Sequence, residues 1–306
     1  MLNLVNSLGI QSDGRIQYDP AQIATHDKDA SLTLTGWFDF NDGSTIFEDT
    51  GGTDAAEDGD NIARINNKAY DGLGASSASI NEFASQGTAG ARPVWTAPSG
   101  LNAGYATFAD DVLESSVLQG NASTGRMGGV NFNPQGFTFM AVVKGNPTGI
   151  TGPAEPIFTF TDRTRSDSGL EYGASALGND IVFNFNTKVN TPFSTSTVRP
   201  NTDVTCITLT GGTSTSLTNS LKWYIDGDLE NTDTTNYSAF GRDLTQNDPS
   251  VGFNIGWCFG LNRSVTKGWN GRIYEIVMYD KCLSDYQRHQ LHRYVGTKYD
   301  ISMTIS

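Results

Sequence analysis

The sequence predicts an all-β protein with one short C-terminal helix, and three observations carry that expectation. Glycine (34 residues), with abundant Ser, Thr and Asn, takes the polar share that long helices give to Glu, Lys and Arg, and only 17% of residues are charged. That is the composition of short strands joined by polar turns. Apolar residues alternate with a period of two along several stretches after Gly136, as a strand with one buried face requires. Only residues 284–296 combine helical spacing with helix signals at both ends.

Taken in order, residues 1–30 form an N-terminal arm, interrupted by Pro20 and by the charged cluster His26, Asp27, Lys28 and Asp29. Its start is apolar, with Leu4, Val5 and Leu8 on one helical stripe. A stripe this short cannot hold itself together in water, so the arm is expected to pack on the domain's own sheet or to anchor the chain on a neighbouring subunit. The domain proper is expected over residues 31–306. Its first strand lies in the SLTLTGWFDF segment, and a turn-rich acidic stretch with Gly51-Gly52, Asp58-Gly59 and Asp71-Gly72 as breakers follows.

Phe137, Phe139, Ala141 and Val143 then alternate with Thr138, Met140 and Val142. Further strands are expected at residues 157–160, 181–185, 204–209 and 253–259, and Leu221, Trp223 and Ile225 run into an Asp226-Gly227 hairpin. The last strand, RIYEIVMY, is apolar on both faces, with Ile273, Val277 and Tyr279 on one and Tyr274, Ile276 and Met278 on the other. It belongs inside a packed sheet. The helix follows, with Ser284 and Gln287 as a capping box, Leu283 as a hydrophobic staple and Gly296 as its stop.

Composition also excludes function classes. With 20 Lys+Arg against 33 Asp+Glu, a net charge of −13, the chain has no basic stripe for nucleic acid and would be repelled by an anionic membrane. Cys206, Cys258 and Cys282 form no CxxC pair, which fits thiols used as small hydrophobes in a reducing compartment. The first residues lack the basic start and apolar run of a secretory signal, and no stretch approaches the ~20 apolar residues of a membrane span. The expectation is a soluble protein made in the cytosol.

Gly271, Arg272, Ile273, Glu275, Ile276, Tyr279, Asp280, Leu283, Ser284 and the Lys298-Tyr299 pair together resemble the C-terminal signature of concanavalin A-like, LamG-type domains. Trp37-Phe38-Asp39 with Asp42, Ser44 and Thr45 is similar to that family's opening segment. So are Arg92-Pro93 with Leu101-Asn102 and residues 105–111, and Tyr224-Ile225-Asp226-Gly227 further on. Asn102-Ala103 and Ala109-Asp110 depart from the family's usual Asn-Gly and Asp-Gly turns. The resemblance covers residues 31–299 and implies one two-sheet antiparallel jelly-roll sandwich.

A fold is not a function, so the residues were searched for chemistry. The ExDxxE or ExDxE strand of a glycosidase on this fold is absent, and Glu275 and Asp280 point to opposite faces. Glu275 is therefore expected to accept hydrogen bonds from loop amides, and no enzymatic activity is expected. His26, His289 and His292 form no triad, and the last two are expected on a solvated helix face. Asp54, Glu57, Asp58 and Asp60 are the best Ca²⁺ candidates, since hard oxygen ligands close in sequence suit that ion; the alternative is a plain solvated loop. Trp95, Tyr237, Trp257 and Trp269 would stack on sugars if exposed, and otherwise belong to the core.

These expectations add up to a non-enzymatic phage virion protein, a capsid decoration, head fibre or tail-fibre component displayed on the virion surface. Its partners would be other virion proteins or itself, as a trimer or other homo-oligomer, and a host surface glycan, with no nucleic acid and no membrane insertion. The rival expectation is a glycan-active enzyme or a bacterial surface lectin on the same fold.

Overall fold

The computed structural model describes residues 9–10, 16–26, 32, 34–69, 83–114, 137–145, 155–162, 165–175, 178–184, 193–194, 203–211, 221–233, 251–256, 268–279 and 281–305. The early elements are β1 (Gly9–Ile10), β2 (Ile16–Gln17), α1 (Pro20–Thr25), β3 (Leu34–Asp39), β4 (Ile46–Phe47), β5 (Arg64–Asn66), β6 (Phe83–Ser85), β7 (Val94–Thr96), β8 (Tyr105–Ala109) and β9 (Leu113–Glu114). Then come β10 (Phe137–Gly145), β11 (Glu155–Asp162), β12 (Arg165–Ser175), β13 (Gly178–Asn184) and β14 (Phe193–Ser194). The chain ends with β15 (Thr205–Gly211), β16 (Leu221–Ile225), β17 (Asp228–Asp233), β18 (Val251–Ile255), β19 (Asn270–Tyr279) and α2 (Asp285–Tyr299).

Two large antiparallel sheets make the body. One has the order β17-β16-β15-β10-β19-β8-β7, and the other β14-β13-β12-β11-β18-β9-β6-β5-β4. Strand β19 is the spine of the first sheet. One of its edges pairs with β10, while the other is shared end to end by β8 at residues 270–273 and β3 at residues 275–279. The expected two-sheet antiparallel sandwich with a C-terminal helix is the observed architecture.

Alternation places the core. Along β10, Phe137, Phe139, Ala141 and Val143 face the second sheet together with Phe38, Ile207, Leu209, Trp223, Ile276 and Met278. The other face of β10, with Met140 and Val142, is buried too, because α2 and α1 lie over it. That double burial explains why β10 and β19 are apolar throughout.

Strand β19 departs from simple alternation. Val142 pairs with Glu275 and Val143 with Ile273, so Tyr274 is an extra residue, a β-bulge. Ile273 therefore joins Ile276 and Met278 in the inter-sheet core, and Tyr274 joins Val277 and Tyr279 under the helix. This corrects the expected face of both Ile273 and Tyr274.

The helix starts as expected, with Ser284 and Gln287 in a reciprocal capping box, but it does not stop at Gly296. It runs on to Tyr299, and Asp300 in the left-handed region (φ +54°) ends it. Gly296 is needed for close approach instead: a Cβ there would stand 2.9 Å from Met303 Cγ of the returning C-terminal tail. At the other end of the chain, Ile23 and Ala24 of α1 are buried beside Leu291 and Val295, and Tyr279 Oη donates to Pro20 O at 2.9 Å. Residues 17–26 thus pack against the helical face of the sandwich.

Candidate functional site

Trp37, Asp39, Glu275, Lys298 and Tyr299 converge beneath α2. Glu275, fully buried, accepts Trp37 Nε1 and Tyr294 Oη (2.9 Å) on one oxygen and Tyr299 Oη (2.7 Å) and Lys298 Nζ (3.1 Å) on the other. Its cross-strand neighbour Asp39 accepts Lys298 Nζ at 2.7 Å and Lys68 Nζ at 3.0 Å, and Lys68 also reaches Asp42 at 2.7 Å. Burial pushes the Glu275 carboxyl above its ordinary range, and Lys298 only partly opposes this. Burial also works against the Lys68 ammonium, but the charges of Asp39 and Asp42 outweigh it and hold that group above its usual value. Glu275 was expected to accept from loop amides. It accepts from four side chains instead, because the helix, not a loop, lies over it.

Other candidates move as well. Trp95 is buried and donates Nε1 to Phe40 O at 2.9 Å, and Trp269 is buried in the inter-sheet core, so neither stacks on a ligand from the surface. Tyr237, Trp257, Leu4, Val5 and Leu8 lie outside the described residues. Among the described residues no three or more His, Cys, Asp or Glu side chains converge on a metal position. Of the calcium candidates, Asp60 accepts Glu57 N (2.7 Å) and Asp58 accepts Ala97 N (2.9 Å), while Asp54 gives its amide to Asp49 (2.8 Å). Asp58 and Asp60 thus each spend an acceptor on a backbone amide. His292 is no solvated residue either: it is buried against Thr208 Oγ1 at 3.1 Å, and burial brings its imidazole down to about 3.

What sequence reasoning missed is the open face of the second sheet. Ile46, Ile65, Ala84 and Leu113 point inward and are fully buried. The alternate residues of the same strands are Phe47, Arg64, Asn66, Phe83, Ser85 and Glu114, all half-exposed on the outer face. Register sets them side by side: Phe47 opposite Arg64, Arg64 opposite Ser85, Asn66 opposite Phe83, and Ser85 opposite Glu114. The Arg64 guanidinium lies over the Phe83 ring, 3.8 Å from its centroid, and donates to Asn66 Oδ1 (2.8 Å) and Gly51 O (3.1 Å). Gly52 (φ +73°) lets the loop close on it, since a Cβ there would stand 2.9 Å from Arg64 Cζ. The strands are only two or three residues long, so no run of alternation was there to reveal the platform in the sequence.

No protein-family model matches the chain, and no curated protein does. Solved structures do. One is domain 4 of an extracellular GH43 arabinanase from Geobacillus stearothermophilus, in complex with arabinotriose (14% identity, TM-score 0.44, 88% of this chain and 98% of that one). Another is Trypanosoma rangeli sialidase with 2,3-difluorosialic acid (13% identity, TM-score 0.45, 89% of this chain and 34% of that one). A third is described as a candidate carbohydrate binding protein from Bacteroides ovatus (14% identity, TM-score 0.43, 61% and 46%). The chain thus spans about a third of the sialidase's length. At these identities the likeness is one of fold alone.

The expectation that the chain is not an enzyme is withdrawn, since the structures it resembles include an arabinanase domain and a sialidase. Paired carboxylates need not lie along one strand: Asp39 and Glu275 stand opposite each other on β3 and β19 and share Lys298.

Proposed function

We propose that this β-sandwich binds carbohydrate on the outer face of its second sheet, at Phe47, Arg64, Asn66, Phe83, Ser85 and Glu114. A sugar ring has an apolar C–H face and a rim of hydroxyls, so it needs an aromatic surface beside fixed donors and acceptors. The observation that carries the reading is that registered strands set two aromatic rings, a guanidinium, an amide, a hydroxyl and a carboxylate on a single face. Every alternate position of those strands is core. In the first sheet α2 covers the outer face of β10 and much of β19, where the corresponding positions are buried.

The test is a glycan array with the wild type and Phe83→Ala. The wild type is expected to bind at least one glycan, and the variant to bind it about tenfold more weakly, because it removes apolar ring surface and the seat of the Arg64 guanidinium together. Unchanged binding by a folded variant would remove this face from the function. The virion setting expected from the sequence suits such a module, and mass spectrometry of purified particles tests it separately.

A further inference from the structure

We infer that the platform selects carboxylate-bearing glycans, with Arg64 as the fork that grips the carboxylate; this rests on the proposed glycan-binding face. A guanidinium has five N–H donors and no acceptor. The two hydrogen bonds of Arg64 go to neutral oxygens, Asn66 Oδ1 and Gly51 O, and they leave three of its donors over. Among the described residues it forms no ion pair.

The group is also held in place. It lies over Phe83 and against Gly52, so its orientation is fixed before a ligand arrives. A planar, pre-positioned fork matches two coplanar acceptors, the geometry of a carboxylate, better than it matches a lone hydroxyl. Glu114 does not satisfy it, since Ser85 stands between them and two strand spacings amount to about 10 Å. That span suits a sugar with its carboxylate at Arg64 and its hydroxyls donating toward Glu114.

Among the described residues the neighbouring acidic loop forms no ion pair with the fork. Asp49 turns both oxygens to its own turn, accepting Gly51 N at 3.0 Å, Thr53 N at 2.9 Å and Asp54 N at 2.8 Å, and Asp58 and Asp60 also face amides.

Trigalacturonate, a hyaluronan tetrasaccharide and 3′-sialyllactose, each beside its methyl ester, serve as probes in calorimetric titrations. The wild type is expected to bind at least one acid about tenfold or more tighter than its ester. Arg64→Gln should bring the acid-to-ester affinity ratio to about one, whatever it does to ester binding itself, and Arg64→Lys, which keeps the charge but not the fork, should restore only part of that ratio. Equal affinity for acids and esters, a preference that survives in Arg64→Gln, or no binding of any acid would overturn the inference. If neutral glycans still bind in a Phe83-dependent way, the glycan-binding face survives that outcome. If Phe83→Ala changes nothing on the array, the face itself falls. Thermal unfolding of both Arg64 variants checks that they are folded.

Discussion

At the scale of single residues, burial decides what each polar side chain can do. His292 is the clearest case, an imidazole with no exposed surface, held neutral and brought down to about 3. Its unfolded value is 6.5, so between those two pH values the unfolded chain binds a proton that the folded chain refuses. The stabilisation from neutral His292 is complete above pH 6.5 and fades as the pH falls toward 3. At about 1.4 kcal/mol per pH unit, the stability advantage of wild type over His292→Gln should shrink by about 3 kcal/mol between pH 6.5 and pH 4. Chemical denaturation at several pH values measures this, and parallel pH profiles for the two proteins would refute it. The sequence showed that a histidine pair sat on α2 but not which way each faced, because that depends on Thr208 and Tyr224 from distant strands. The same holds for Trp95 and Trp269: an aromatic residue near a turn is as readily core as surface until its strand's register is known.

At the scale of elements, local signals were legible and register was not. The Ser284 capping box and the Asp226-Gly227 turn depend on residues adjacent in the chain, and both form as the sequence implied, the turn with φ +48° and +89°. The bulge at Tyr274 and the continuation of α2 past Gly296 depend on partners elsewhere, β10 in one case and the C-terminal tail in the other. That tail also crosses the hairpin. Thr304 N donates to Asp226 O at 2.8 Å, and a Cβ on Gly227 would run into the Thr304 carbonyl. Gly227→Ala should therefore carry two costs, a left-handed backbone worth about 1 kcal/mol and a steric overlap worth about 2 kcal/mol more. In a chain ending at Asp300 only the first should remain. A double-mutant cycle by thermal unfolding separates them, and equal penalties in the long and short chains would show that the tail does not constrain the turn.

At the scale of the whole molecule, the two sheets have different outer faces. The first is covered in part by α2, fastened through Lys298 and Tyr299 to Asp39 and Glu275. Trp37, Asp39, Glu275, Lys298 and Tyr299 were legible in the sequence because they hold the helix to the sheet. The second face was not readable, because Arg64, Phe83 and Glu114 come from three short strands and meet only through register. If this second face holds glycan, amide chemical-shift mapping of the ¹⁵N-labelled protein titrated with the best-binding glycan from the array will show it. The largest shifts should fall on β4, β5, β6 and β9, around Arg64, Phe83, Ser85 and Glu114. Shifts confined to α2 and the first sheet, with those strands unmoved, would contradict a glycan on this face.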